Sequence, residues 1–164
     1  MGLRGLSLAA PGWGRTISPR FPRGFRVPLR VILADDHRIV RLGVKYLLER
    51  EGFDVVGEAA DGREAVRLAR ELLPDVAVVD LTMPQLNGIA VAREILNSFP
   101  RMGVVLFTMH TEDHQVVGAL RSGIRGYVLK TQAVEELCLA IREVALGGTY
   151  FSPRVSRVAE SYLH

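Results

Sequence analysis

One cysteine, Cys138, stands in the 164 residues. That excludes a disulfide framework and any multi-cysteine zinc or iron–sulfur site. No uninterrupted apolar run approaches the roughly 18 residues that a membrane span needs. Neither GxGxxG nor GxxxxGKS/T occurs, so the glycine loops that cradle dinucleotides or nucleoside triphosphates are missing. Acid is missing only locally. Residues 1–28 hold Arg4, Arg15, Arg20, Arg23 and Arg26 and no Asp or Glu. The rest of the chain has 16 basic and 18 acidic residues, so the net charge of +3 comes from this tail. The body offers no basic stripe of the kind that tracks nucleic acid.

What is present has globular proportions, 48% hydrophobic and 24% charged, in a chain long enough to bury one core without staples. Residues 1–28, rich in Gly, Pro and Arg, keep no period and read as a disordered or loosely attached tail. From Leu29 the pattern changes. Five short apolar runs recur: LRVILA (29–34), FDVVGEA (53–59), DVAVVD (75–80), GVVLFT (103–108) and GYVLK (126–130). They are rich in β-branched residues and mostly do not alternate, which predicts strands covered on both faces, as in a parallel sheet. Between them lie helical stripes. Val40, Val44, Leu47 and Leu48 form the first, and Ala65, Leu68, Ala69 and Leu72 the second, opened by an Asp61-x-x-Glu64 capping box. Ile89, Ala92, Ile95, Leu96 and Phe99 form the third. A weaker one spans about 112–122. The last runs from Val134 through Leu137, Cys138, Ile141 and Val144, with Cys138 as packed core. Five βα units predict an α/β domain with right-handed crossovers and helices on both faces.

The polar residues fall at informative places. The first run ends in Asp35-Asp36, the third in Asp80, the fourth in Thr108 and the fifth in Lys130. In a parallel sheet all carboxyl ends share one edge, and open α/β sheets bind ligands there. Three carboxylates, a hydroxyl and an ammonium should therefore converge. A lone Asp at a strand end is usually a helix cap; five such residues at matching ends are not explained that way. Clustered carboxylates repel, and an all-oxygen set suits Mg2+. A carboxylate such as Asp80 could then attack phosphorus, with Lys130 neutralising the phosphoryl oxygens and Thr108 donating a hydrogen bond to them.

These residues carry a resemblance. ADDH at 34–37, DLTMPQLNG at 80–88, Thr108 and Lys130 resemble the receiver domain of two-component response regulators, over roughly residues 29–150. The resemblance implies a flavodoxin-like, doubly wound, five-stranded parallel sheet of order 2-1-3-4-5. It implies Asp80 as phospho-acceptor, and Asp35, Asp36, Asp80 and the backbone carbonyl of Thr82 around Mg2+, with Mn2+ able to substitute. It further implies Lys130 as partner of the phosphoryl group, Thr108 and Tyr127 as a switch pair, and Met83, Pro84 and Gly88 as shapers of the loop after Asp80. ADDHRIVRLGVKYLLE, GYVLK and GGTYFSP are similar to the NarL/FixJ subgroup, whose LuxR-like helix-turn-helix controls transcription. Residues 151–164 are too few for that domain and read as the start of a linker, so DNA is expected only through an output domain not in this chain.

The implied setting is cytoplasmic. A sensor histidine kinase is the expected partner, and a homodimer is expected through the fourth helix, fifth strand and fifth helix or through the first and fifth helices. No enzymatic activity is expected beyond self-phosphorylation and dephosphorylation. An aspartyl-phosphate hydrolase of the haloacid dehalogenase type is the rival enzyme, but it needs an acid two residues after the nucleophile, where this chain has Thr82. A stand-alone receiver or a phosphate-independent protein interaction module is the other alternative. His37 is not needed as a metal ligand. His110, two positions past Thr108, is placed to tune hydrolysis of an acyl phosphate.

Overall fold

The structure is a computed structural model that describes residues 27–132 and 134–163. All but Val27 and Pro28 of the expected basic tail lies outside the described residues. Elements alternate along the chain: β1 Arg30–Ala34, α1 Arg38–Arg50, β2 Asp54–Ala59, α2 Gly62–Leu72, β3 Val76–Val79, α3 Gly88–Ser98, β4 Gly103–Thr108, α4 Asp113–Arg121, β5 Gly126–Leu129, α5 Val134–Ala145, β6 Tyr150–Phe151 and α6 Pro153–Leu163. The sheet order is β2-β1-β3-β4-β5-β6, and every pairing is parallel.

The nonalternating apolar runs explain this architecture. β3, β4 and β5 are buried along their whole length, because successive side chains point to opposite faces and both faces are covered. Ile32, Ala77, Val104 and Leu106 pack with Ala69 of α2, Ile95 of α3, Ala119 of α4 and Val155 of α6. Their neighbours Val31, Val76, Val78 and Val105 pack with Leu48 of α1 and Leu137 and Ile141 of α5. Helices α2, α3, α4 and α6 thus cover one face, and α1 and α5 the other.

The local signals hold with adjustments. Asp61 caps α2, accepting from the Glu64 backbone N–H at 2.8 Å. Glu64 reaches back to the N–H of Ala60 rather than that of Asp61, so the capping box closes one residue early. The α1 stripe is only half used. Leu48 is buried, while Val40 and Leu47 are exposed at its rim, and Ile39 and Tyr46 are 81% and 61% exposed.

The order expected for five strands is present, and a sixth joins it. Tyr150 and Phe151 pair with Gly126 and Tyr127, a strand too short to leave a pattern in sequence. Ser152 seals the joint: its N–H donates to the Tyr127 carbonyl at 2.9 Å, and its Oγ accepts from the Leu129 N–H at 3.1 Å. Residues beyond it, read from sequence as the opening of a linker, form α6. This helix buries Val155 and Ala159 and meets α4 through a hydrogen bond from Arg121 Nε to the Tyr162 hydroxyl at 3.1 Å.

Tyr150 also donates to Glu136 of α5 at 2.6 Å. That bond, helped by burial, pushes the Tyr150 hydroxyl up to about 12. A raised folded value means a contribution that is complete below the ordinary value of 10 and is lost as pH rises through the folded one. Tyr150→Phe should therefore cost on the order of 1 kcal/mol at neutral pH. Chemical denaturation should show the gap to the unaltered protein closing between pH 10 and about 12.

Candidate functional site

The sheet positions the site by continuing its ladder one residue past the strands. The N–H of Asp35 donates to the Ala59 carbonyl at 3.0 Å, that of Asp80 to Ala34 at 2.9 Å and that of Lys130 to Thr108 at 2.9 Å. Each of these backbones is fixed by a neighbouring strand, so the side chains leave the edge at set points. Asp35 and Asp80 are each 6% exposed, and Thr108 is fully buried.

The Lys130 ammonium joins the two acids. Its Nζ donates to Asp35 Oδ2 at 2.6 Å and to Asp80 Oδ2 at 3.1 Å. Burial alone would lower the lysine pKa, but the two carboxylates outweigh it and hold the value above 10.5. Ligand atoms of Asp35, Asp36, His37 and Asp80 lie within 4.8 Å of one another. The imidazole Nδ1 of His37 is 3.1 Å from Asp36 and 3.3 Å from Asp35. Behind them, Arg41 donates to the Asp35 backbone carbonyl at 2.7 Å and is itself held by Glu58 at 3.1 Å.

The loop after β3 is shaped by close contacts. A Cβ at Gly88 would collide with the Asp80 carbonyl oxygen, and the Gly88 N–H closes the turn on Leu81 at 2.8 Å. Met83 is buried. The Pro84 carbonyl accepts from both Leu86 and Gly62, and a Cβ at Gly62 would collide with the Leu86 carbonyl. Gln85 takes a positive φ of 72°, the left-handed conformation that side chains rarely adopt. Gly62 could not be singled out from sequence, because the loop it meets is 20 or more residues away.

Of the residues singled out from sequence, Asp35, Asp36, Asp80 and Lys130 come together. Thr108 stands on the same edge with its hydroxyl accepting from the His110 N–H at 3.3 Å. Tyr127 is fully buried and meets this edge only through its hydroxyl, which donates to the His110 carbonyl at 2.7 Å. Thr82 is exposed. Sequence reading missed Arg41, and it set His37 aside although the imidazole joins the acidic group. Arg41 has no spacing signal, since it reaches Glu58 through the fold, whereas His37 meets its own chain neighbours Asp35 and Asp36.

A parallel sheet of this order with an acidic pocket and one lysine at its carboxyl edge defines a phosphorelay-type receiver layout. The family model for the response regulator receiver domain matches residues 31–142, and the chain belongs to that family. Receivers carry no enzymatic activity beyond phospho-aspartate chemistry. The response regulator VraR of Staphylococcus epidermidis is 38% identical over 128 residues, 77% of this chain and 61% of that protein. The chain thus spans about three fifths of that relative's length. A two-component response regulator of the LuxR family from Aurantimonas sp. matches at TM-score 0.78 and 39% identity, over 84% of this chain and all of that one. The receiver of RcsB from Salmonella enterica serovar Typhimurium, solved with the phosphomimetic BeF3-, matches at 0.73 and 32%, over 80% of this chain and 99% of that one. RcsB has also been solved as two dimers bound to two parallel DNAs.

Removing Lys130 leaves two buried carboxylates facing each other. Lys130→Met should destabilise the domain by about 3 kcal/mol at neutral pH. Because the folded lysine value is raised, its contribution is complete below 10.5 and fades only as pH climbs through the folded value. Denaturant titrations at stepped alkaline pH check both size and sign.

Proposed function

We propose that this domain is a phosphorylation switch in which Asp80 accepts a phosphoryl group from a phosphohistidine of a sensor histidine kinase. The observation that carries the reading is the single ammonium of Lys130 bonded at once to Asp35 and Asp80 at the carboxyl edge of the sheet. An Asp80 carboxylate oxygen attacks phosphorus, the phosphorus–nitrogen bond of the donor breaks, and the electron pair returns to the donor imidazole. Lys130 already points at Asp80 and neutralises the charge on the transferred oxygens. The Thr108 hydroxyl turns from the His110 N–H toward the new oxygens, and the Tyr127 ring, already buried with its hydroxyl on the His110 carbonyl, is locked inward as the second half of the switch.

The acidic group fits a hard divalent cation: its oxygens cluster within 4.8 Å, and one lysine cannot balance three carboxylates. Asp35, Asp36 and Asp80, with the backbone carbonyl of Thr82, would hold Mg2+, or Mn2+ in its place. When bound, the ion supplies positive charge that draws the phosphoryl group and the acids together. Met83, Pro84 and Gly88 keep the shape of the loop that carries Thr82.

A homodimer through α1 and α5 belongs to this reading. The α4–β5 side carries the chain's own β6 and α6. On the other side α1 exposes Ile39, Leu42 and Tyr46, and Leu139 of α5 and Leu146 just past its end are exposed. α1 bears Arg38, Arg41, Lys45 and Arg50 against Glu49, whereas α5 bears Glu135, Glu136 and Glu143 against Arg142, so the two helices carry net charge of opposite sign and two copies would present complementary charge. The setting is cytoplasmic, and DNA is reached through an output domain outside residues 1–164. Among the described residues, no helix is long and apolar enough to cross a membrane.

Incubation with acetyl phosphate and Mg2+ followed by intact mass measurement should give an adduct of one phosphoryl group. Asp80→Asn should abolish it; no adduct on the unaltered protein would leave only a phosphate-independent interaction module. Mg2+ at about 100 times its dissociation constant should add about 2.7 kcal/mol of stability, and Asp35→Asn should remove most of that gain. Tyr46→Glu should shift sedimentation of the phosphorylated protein from dimer to monomer while leaving the adduct in place.

A further inference from the structure

One contact belongs neither to the acidic group nor to the core. Thr82, two residues past Asp80, and His110, two residues past Thr108, meet side chain to side chain: Thr82 Oγ1 lies 2.9 Å from His110 Nε2. The other ring nitrogen, Nδ1, is 3.2 Å from Glu112 Oε1. Glu112 is itself fixed, its second oxygen accepting from the Thr111 N–H at 2.8 Å. Backbone and His110 hydrogen bonds hold its carboxyl below the usual carboxylate value. An ionised carboxylate only accepts, so Nδ1 is the donor in that pair. In the neutral ring Nε2 then accepts from the Thr82 hydroxyl. This tautomer follows from the network.

The backbone of the same residue faces the other way. The His110 N–H donates to Thr108 Oγ1 at 3.3 Å, and its carbonyl accepts from the Tyr127 hydroxyl at 2.7 Å. Burial pushes the Tyr127 hydroxyl well above its ordinary value, so it remains a neutral donor. One residue therefore holds the loop after the acceptor strand with its ring, the Thr108 hydroxyl with its N–H and the Tyr127 hydroxyl with its carbonyl. Glu112 immediately precedes α4, so the ring is anchored to the start of that helix.

We propose that His110 is a positioning residue that couples the loop after Asp80 to Tyr127 through the Thr82–His110 hydrogen bond. The inference rests on Asp80 being the phospho-acceptor. A change in the Thr82 loop pulls on the His110 ring, and the ring's own peptide carries the anchor of the Tyr127 hydroxyl. Loss of one ordinary hydrogen bond corresponds to about a fivefold change in an equilibrium ratio. The inward-to-outward ratio of the Tyr127 ring after phosphorylation should fall by that factor when the bridge is cut.

The test uses the full chain with 3-fluorotyrosine at its four tyrosines, with the Tyr127 signal assigned by Tyr127→Phe. Spectra are taken before and after acetyl phosphate and Mg2+, with intact mass measured on the same samples. Thr82→Val removes the hydroxyl but keeps the backbone carbonyl, and His110→Ala removes the ring. Each should keep a cooperative melt and, in the fraction that mass shows to carry the adduct, show a Tyr127 inward-to-outward ratio reduced about fivefold. The double variant should be no worse than either single one, because both cut the same bond. A Tyr127 response in both single variants equal to that of the unaltered protein, or additive losses in the double variant, would overturn the coupling. A missing adduct on the unaltered protein would instead sink the phospho-acceptor reading, so the two failures are distinct.

Discussion

The ammonium of Lys130 sits between two carboxylates that have almost no water to screen them. Everything else at the carboxyl edge is arranged around that pairing. Two buried acids at close range repel, and burying them costs free energy unless a cation is supplied. The lysine comes from the end of β5, while the acids come from β1 and β3. A charge contact across half the sheet therefore ties together strands that the chain visits at quite different times. It also leaves a deficit of positive charge, because one ammonium faces three acids. A deficit of that kind makes a pocket receptive to a divalent ion, and an ion beside an aspartate makes that aspartate a plausible partner for phosphorus.

Rigidity around this pocket is supplied by backbone rather than by side chains. The ladder bonds that run past the ends of β1, β3 and β5 hold Asp35, Asp80 and Lys130 by their own N–H groups. Gly88 and Gly62 let the loop after β3 lie against Asp80 and against the start of α2 at distances that no larger residue allows. The outer ring of contacts is looser. Thr82, His110 and Glu112 are linked by side chains at the solvent boundary, where bonds are easily exchanged. A rigid floor beneath an adjustable rim is the distribution a two-state device needs.

Much of this was readable from residues alone, and the reasons are specific. Strands buried on both faces leave unbroken apolar runs, so β1, β3, β4 and β5 announced themselves. The terminal polar residues of those runs marked the edge, and the strand order carried by the family resemblance matches what the structure shows. Other features left no trace. β6 is two residues long, below the length at which any period exists. α1 promised a buried stripe, yet only Leu48 is fully covered, since amphipathicity tells which side is apolar and not what lies against it. The His110 bridge depends on two loops 28 residues apart meeting at hydrogen-bond range. No spacing rule encodes that.

The short strand Tyr150–Phe151 has a consequence for shortened forms of the domain. It occupies the outer side of β5, whose main-chain groups are otherwise the last in the sheet. A polypeptide ending before Tyr150 would bare Gly126–Leu129 as an open edge of apolar residues, the kind of border onto which stray chains polymerise. It would also uncover the Val155 and Ala159 socket on the α4 side. Residues that look like mere spacer therefore act as a hem, and trimming them would exchange solubility for stickiness.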